Sequence, residues 1–215
     1  MKSAQPFVQA WQCTDPQLSW KDAQAKLDNL QLTKQFDTVL LNMCRRGLGS
    51  TILVVDKVEL ATLIYDSLTI LFAQKSRLRQ YVTELMKSRF QNVSEPALEL
   101  IGRRSISQFD TLQFLDQIQA DNERASMIAD VIWASHQLHT ILLLDSLPRL
   151  YQGIEHIESG GGILGPVPRS IHAALRHSKL TFLAHMTKAE YESFDDRDGM
   201  LKGLTQRIVR TVEIA

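Results

Sequence analysis

His136 and His139 stand three residues apart, a spacing at which two imidazoles on a helix would share a metal if Asp130 or Asp145 came near. Zinc-protease helices instead place their histidines four apart with a glutamate between them. Here the intervening residues are Gln137 and Leu138, which favours a structural pair. Gly160, Gly161 and Gly162 suggest a phosphate cradle, but that chemistry needs a following lysine and hydroxyl, or spaced glycines after a strand. Ile163, Leu164 and Gly165 supply neither, so the glycines read as a flexible connector. His156, His172 and His177 have no nucleophile at motif spacing, and no Gly-x-Ser-x-Gly occurs. These residues argue for no enzyme, no cofactor, no bound metal and no small-molecule substrate.

A different chemistry, the recognition of anions, is legible between Arg169 and Lys188. Arg169, Arg176, Lys179 and Lys188 fall in this stretch without a single carboxylate. Within it the two-residue alternation of 180–186 predicts a strand. Thr187-Lys188-Ala189-Glu190 then predicts a capped helix start. A cationic strand running into a helix is an arrangement that docks into a nucleic-acid groove.

The elements that must position these residues follow from periodicity and punctuation. Residues 1–18, with Pro6, Pro16 and several glutamines, read as a flexible N-terminal arm, and 19–215 as a single mainly helical domain. A short amphipathic helix is expected from Ser19 to Leu30, and 36–43 reads as a strand stopped by Arg45-Arg46-Gly47. Residues 49–55 are β-branched and apolar, as a buried strand would be. Asp56 and Ser76 are candidate caps for two helices behind it, and Ser94-Glu95-Pro96 is a third helix start. Helical spacing recurs from 109 to 144, with a possible break at Asp121-Asn122 and an end at Pro148; a brief helix over 149–157 follows. The glycines and Gly165-Pro166-Val167-Pro168 mark a break, Asp195 to Gly199 a turn, and 201–212 a closing helix.

Composition bounds what such a chain does. It has 215 residues, 44% hydrophobic and 22% charged, the make-up of a soluble globular protein. Its 24 lysines and arginines cancel 24 aspartates and glutamates, so an anionic partner must be met by a local patch. Cys13 and Cys44 are too few for a disulfide framework or a four-cysteine zinc site. The first residues lack a signal-peptide core, and the apolar stretch 60–73 is too short for a bilayer. A cytoplasmic protein without a membrane partner is expected.

Arg169-x-Ile171-x-x-Ala174-Leu175, then Phe182, then Met186-Thr187-Lys188-Ala189-Glu190-Tyr191 resemble the AcaB-like transcriptional regulators of conjugative plasmids and integrating conjugative elements. A weaker likeness covers 52–90, and the whole runs from about Thr38 to Tyr191. The resemblance implies a helical body carrying a few short β-strands and a ribbon-helix-helix-like DNA-binding unit. It also implies a regulator, in the first place an activator, of conjugative-transfer genes. In such a unit one strand from each of two subunits pairs into an antiparallel ribbon that enters the major groove of double-stranded DNA, so a homodimer is expected.

Applied to 180–186, that geometry sends Leu180, Phe182, Ala184 and Met186 inward and Lys179, Thr181, Leu183 and His185 outward. Lys179, Thr181 and His185, with Thr187 and Lys188 at the helix start, are the candidate DNA contacts. The competing reading is a strand half buried on its own protein. A second patch, Arg45, Arg46, Lys75, Ser76, Arg77 and Arg79, flanks the strand at 49–55, whose Ile52 to Val55 offer bases almost nothing polar. Two further function classes stand beside DNA binding. One is an interaction protein of the transfer apparatus that binds no DNA, favoured by zero net charge and the apolar stretch 128–144. The other is a metal-dependent hydrolase built on His136 and His139.

Overall fold

Thr51-Ile52-Leu53-Val54-Val55 is β-branched except at Leu53 and apolar after Thr51, with no alternating polar side to give to water. In a computed structural model of the chain it forms a strand whose five residues are all buried. The structure describes residues 7–45, 49–144, 147–150, 166–177, 179–198 and 210–214. Their elements are, in order, β1 (Val8–Gln9), α1 (Trp20–Asn29), α2 (Thr33–Met43), β2 (Thr51–Val55), α3 (Val58–Ala73), α4 (Lys75–Phe90), α5 (Glu95–Arg103) and β3 (Ser105–Phe109). There follow α6 (Thr111–Gln117), α7 (Asp121–Gln137), β4 (Thr140–Leu144), α8 (Leu147–Leu150), α9 (Pro166–Arg176), β5 (Phe182–Thr187), α10 (Lys188–Asp198) and β6 (Arg210–Ile214).

The strands make one mixed sheet in the order β1-β3-β4-β5-β2-β6. From β3 to β6 every neighbouring pair is parallel, and only the two-residue β1 runs antiparallel, on β3. Parallel strands need both faces covered. Leu53, Val55, Ile141, Leu143, Leu183, Val212 and Ile214 pack into one core with α1 to α5. Ile52, Val54, Leu142, Leu144, Phe182, Ala184 and Met186 pack into a second with α6, α7, α8 and α9. The body is mainly helical, as the sequence predicts, but its centre is a six-stranded α/β/α sandwich rather than a few short strands.

Several local expectations change with it. Residues 36–43 are helical, because Phe36, Val39, Leu40 and Met43 lie at three- and four-residue spacings and bury one stripe. The polar stretch at Ser105 is strand β3, and Thr140–Leu144 is strand β4 rather than the end of a long helix. His139 separates α7 from β4 with φ of 53°, a left-handed residue that ends a helix. Pro166, Val167 and Pro168 begin α9 instead of breaking the chain. Asp56 and Ser76 cap nothing: α3 has Lys57 at its N-cap and α4 has Gln74, each without a side-chain bond. Ser19 does cap α1, accepting from the Asp22 amide at 3.2 Å. Residues 195–198 continue α10, and Val212 belongs to β6. Gly160 to Gly162, most of the brief helix at 149–157 and the stretch 201–209 lie outside the described residues.

The described part of the expected N-terminal arm is docked. Phe7 is buried against Phe114, and its carbonyl accepts from the Asp110 amide at 2.9 Å. Further on, the buried Asp66 carboxylate accepts from Trp11 Nε1 at 2.7 Å and from the Thr14 hydroxyl and amide. A buried carboxylate needs such donors, and this segment supplies them.

Neither strand can serve as the expected DNA-reading ribbon. β5 lies between β4 and β2 and β2 between β5 and β6, all parallel, so both have used their edges. A ribbon-helix-helix unit needs a strand with a free edge to pair antiparallel with a second chain. With the ribbon goes the reason for expecting a homodimer.

Candidate functional site

Parallel strands bring the connections that precede them to one edge of the sheet, and here those connections are cationic. Arg45 lies in the connection leading to β2, Arg103 and Arg104 directly before β3, His136 and His139 before β4, and Lys179 before β5. Arg103, Arg104, His136, His139, Lys179 and Thr181 line a cleft of about 330 Å³ at this amino edge. Thus Lys179 and Thr181, expected from one part of the sequence, meet the histidine pair expected from another.

Arg104 is the anchor of the site. It is only 7% exposed, with one Nη1 bond to the Met43 carbonyl and an Nη2 bond to the Thr181 hydroxyl at 3.4 Å. Its own carbonyl accepts from Lys75 Nζ, which brings the start of α4 to the same edge. A Cβ on Gly49 would lie 3.0 Å from Arg104 Nη1 and 3.0 Å from Thr181 Cγ2, so glycine is what lets the chain before β2 pass this close. Burial lowers the Arg104 affinity for its proton, yet a guanidinium keeps its charge at neutral pH. Burial also pushes the neighbouring Cys44 thiol up to about 12, so it stays protonated and supplies no counter-charge. Among the described residues no carboxylate forms an ion pair with Arg104 or Lys179. The acid in the cleft, Glu99, sits 4.0 Å from Arg103.

The remaining candidates divide. Arg45 and Lys75 belong to the amino edge, while Arg77 is bonded to Gln74 and Arg79 to Glu95 at 2.8 Å. Ser76 is exposed, and Arg46 lies outside the described residues. His185 is not turned to solvent as a base contact: its Nδ1 lies 3.1 Å from the Tyr65 hydroxyl, under α3. Thr187 and Lys188 are at the opposite end of β5, about 20 Å from Thr181 at the strand rise. There Thr187 accepts from the Glu190 amide at 3.2 Å while Glu190 accepts from the Thr187 amide at 2.8 Å. This is the expected capping box, which satisfies amides at the start of α10. Among the described residues no group of three His, Cys, Asp or Glu side chains is placed to hold a metal.

No motif marks Arg103 and Arg104, because a pair of arginines at the end of a helix has no diagnostic spacing. Trp133 is the other feature that periodicity hides. It lies on α7 one turn before His136 and is 67% exposed, with Leu138 at 68% nearby. Residues three apart on a helix are surface neighbours, so Trp133 shares a face of α7 with His136, although its ring is not among the groups that line the cleft.

The carboxyl edge of the sheet is the place where wound α/β folds commonly seat phosphates, on a glycine-rich loop before a helix. Here Asp56 and Lys57 alone join β2 to α3, without glycine and without the lysine-hydroxyl pair that such a loop needs. Those residues do not fit a nucleotide phosphate cradle.

No family model and no curated protein matches the chain. Among solved structures it is similar to a chain of the S. cerevisiae Hsp104:casein complex in its extended conformation, with a TM-score of 0.57 and 13% identity. The likeness covers 85% of this chain and 26% of that one, so this chain spans about a quarter of the protein it matches. At that identity the likeness concerns the fold. No helix among the described residues is long and apolar enough to cross a membrane.

Proposed function

We propose that this chain is a DNA-binding protein that contacts DNA through the amino edge of its sheet, not through a paired-strand ribbon. The observation that carries the reading is the convergence of the exposed Arg45, Lys75, Arg103 and Lys179, from four different parts of the chain, onto one edge of a protein with no net charge. Phosphate binding needs such local concentration of cations. Regulation of conjugative-transfer genes, which the AcaB-like resemblance implies, is the setting we propose for this activity, in the cytoplasm.

Fluorescence anisotropy with labelled promoter and scrambled DNA at several salt concentrations tests both parts. Neutralising about four phosphates gives a slope of log K on log salt of roughly −3 to −4 for duplex DNA. Affinity that does not move with salt sinks the DNA reading, and equal affinity for promoter and scrambled DNA sinks the regulatory one. A second reading, a protein-interaction component, is favoured by Trp133 and Leu138, because tryptophan is a frequent anchor of protein interfaces.

A further inference from the structure

Burying a guanidinium without an opposing charge is costly, and a native structure tolerates it where something else supplies the anion. Arg104 is so placed: 7% exposed, held by a carbonyl and a hydroxyl, and opening onto the cleft. Two bonds engage its Nη atoms, out of the five N–H donors that a guanidinium carries. The Thr181 hydroxyl accepts from Nη2 and therefore has its own proton to give. Lys179 is exposed beside it, and His136 and His139 line the same space. Glu99 also lines it, drawn toward Arg103.

The size of the cleft narrows what enters. About 330 Å³ is at the small end of ligand pockets, room for a nucleotide-sized group. The phosphates of a duplex are threaded along a stiff convex backbone, and such a backbone cannot descend to a buried arginine. A terminal phosphate, carried on one bridging oxygen, can.

We propose that the amino-edge cleft seats one phosphomonoester, with the Arg104 guanidinium as its fork and Lys179 and Thr181 as further donors. The phosphate belongs to the end of a DNA strand or to a free nucleotide. This rests in part on the reading of the amino edge as a phosphate-binding surface, and narrows that reading to a terminal group.

The test compares the full chain with one labelled single-stranded oligonucleotide bearing either a terminal phosphate or a terminal hydroxyl, and separately with a nucleoside 5′-monophosphate in a thermal-shift assay. A terminal phosphate is expected to tighten binding about tenfold, and Lys179→Ala, an exposed position, to remove most of that preference without moving the thermal midpoint. Arg104→Lys, which keeps the charge and loses the fork, should abolish the preference; circular dichroism reports whether that variant is folded, and Lys179→Ala decides if it is not. Equal affinity for both oligonucleotides together with no thermal shift from the monophosphate overturns the proposal. If that happens while both oligonucleotides bind in a salt-sensitive way, the DNA reading survives it. A thermal shift from the monophosphate without oligonucleotide binding supports the phosphate seat and assigns it to a free nucleotide, while the duplex reading stands or falls on the anisotropy titration above.

Discussion

A single buried side chain shows how environment decides what a residue does. Arg104 and Arg103 are neighbours in sequence and alike in chemistry. Arg103 is exposed near Glu99 and worth little to stability, as surface pairs are. Arg104 is enclosed and holds three parts of the amino edge together through Met43, Thr181 and Lys75. His172 is a second case. On the inner side of α9, burial, with Arg176 beside it as the smaller cause, lowers its proton affinity below the ordinary value near 6.5. The folded protein thus favours neutral His172, and this contribution is complete above about pH 6.5 and lost as pH falls through the lowered folded value. The thermal midpoint should drop between pH 7 and pH 5, and His172→Gln should flatten that drop. An unchanged slope in the variant would assign the acid sensitivity elsewhere.

At the scale of elements, β5 is the piece whose surroundings differ most from a reading of its alternation. Alternating residues predict one buried face and one wet face, and the inward set of Leu180, Phe182, Ala184 and Met186 is buried as expected. Leu183 is buried too, and His185 faces Tyr65, because α3 covers the second face. His185→Ala should therefore cost roughly 1–2 kcal/mol in denaturant unfolding, as lost partly buried hydrogen bonds do, and leave DNA affinity unchanged. Loss of DNA binding in a fully stable variant would contradict this placement. The sequence carried β2 and the starts of α1 and α5 well, since β-branched runs and Ser or Pro punctuation are local signals. It did not separate β4 from α7, because Ile141 to Leu144 is a short apolar run that suits either state. The left-handed turn that divides them falls on His139, and although histidine enters that region more readily than most residues, one histidine is too weak a signal to mark a boundary.

The whole molecule is neutral but not uniform. At the amino ends of its parallel strands Arg45, Arg103, Arg104 and Lys179 outnumber the acid of the cleft, Glu99, whereas at the carboxyl ends Lys57 and Lys188 are offset by Asp56, Asp110 and Glu190. A field with this polarity steers an anion to one edge even though the total charge is zero. Lys179→Ala should weaken DNA binding several-fold and make the salt slope shallower by about one, whereas Lys188→Ala at the far edge should change neither. Equal effects from the two lysines would mean that the contact surface is not the amino edge.

What the residues by themselves determined is local: which stretches are apolar, where helices begin, that β2 is buried, and that cations gather near Lys179. The order of strands in the sheet, and hence which connections become neighbours, was decided only by the tertiary structure. Arg104 and Lys179 are 75 positions apart in the chain and meet because β3, β4 and β5 run side by side in one direction. Hydrogen bonding between strands is blind to distance along the chain, so no spacing in the sequence records that meeting.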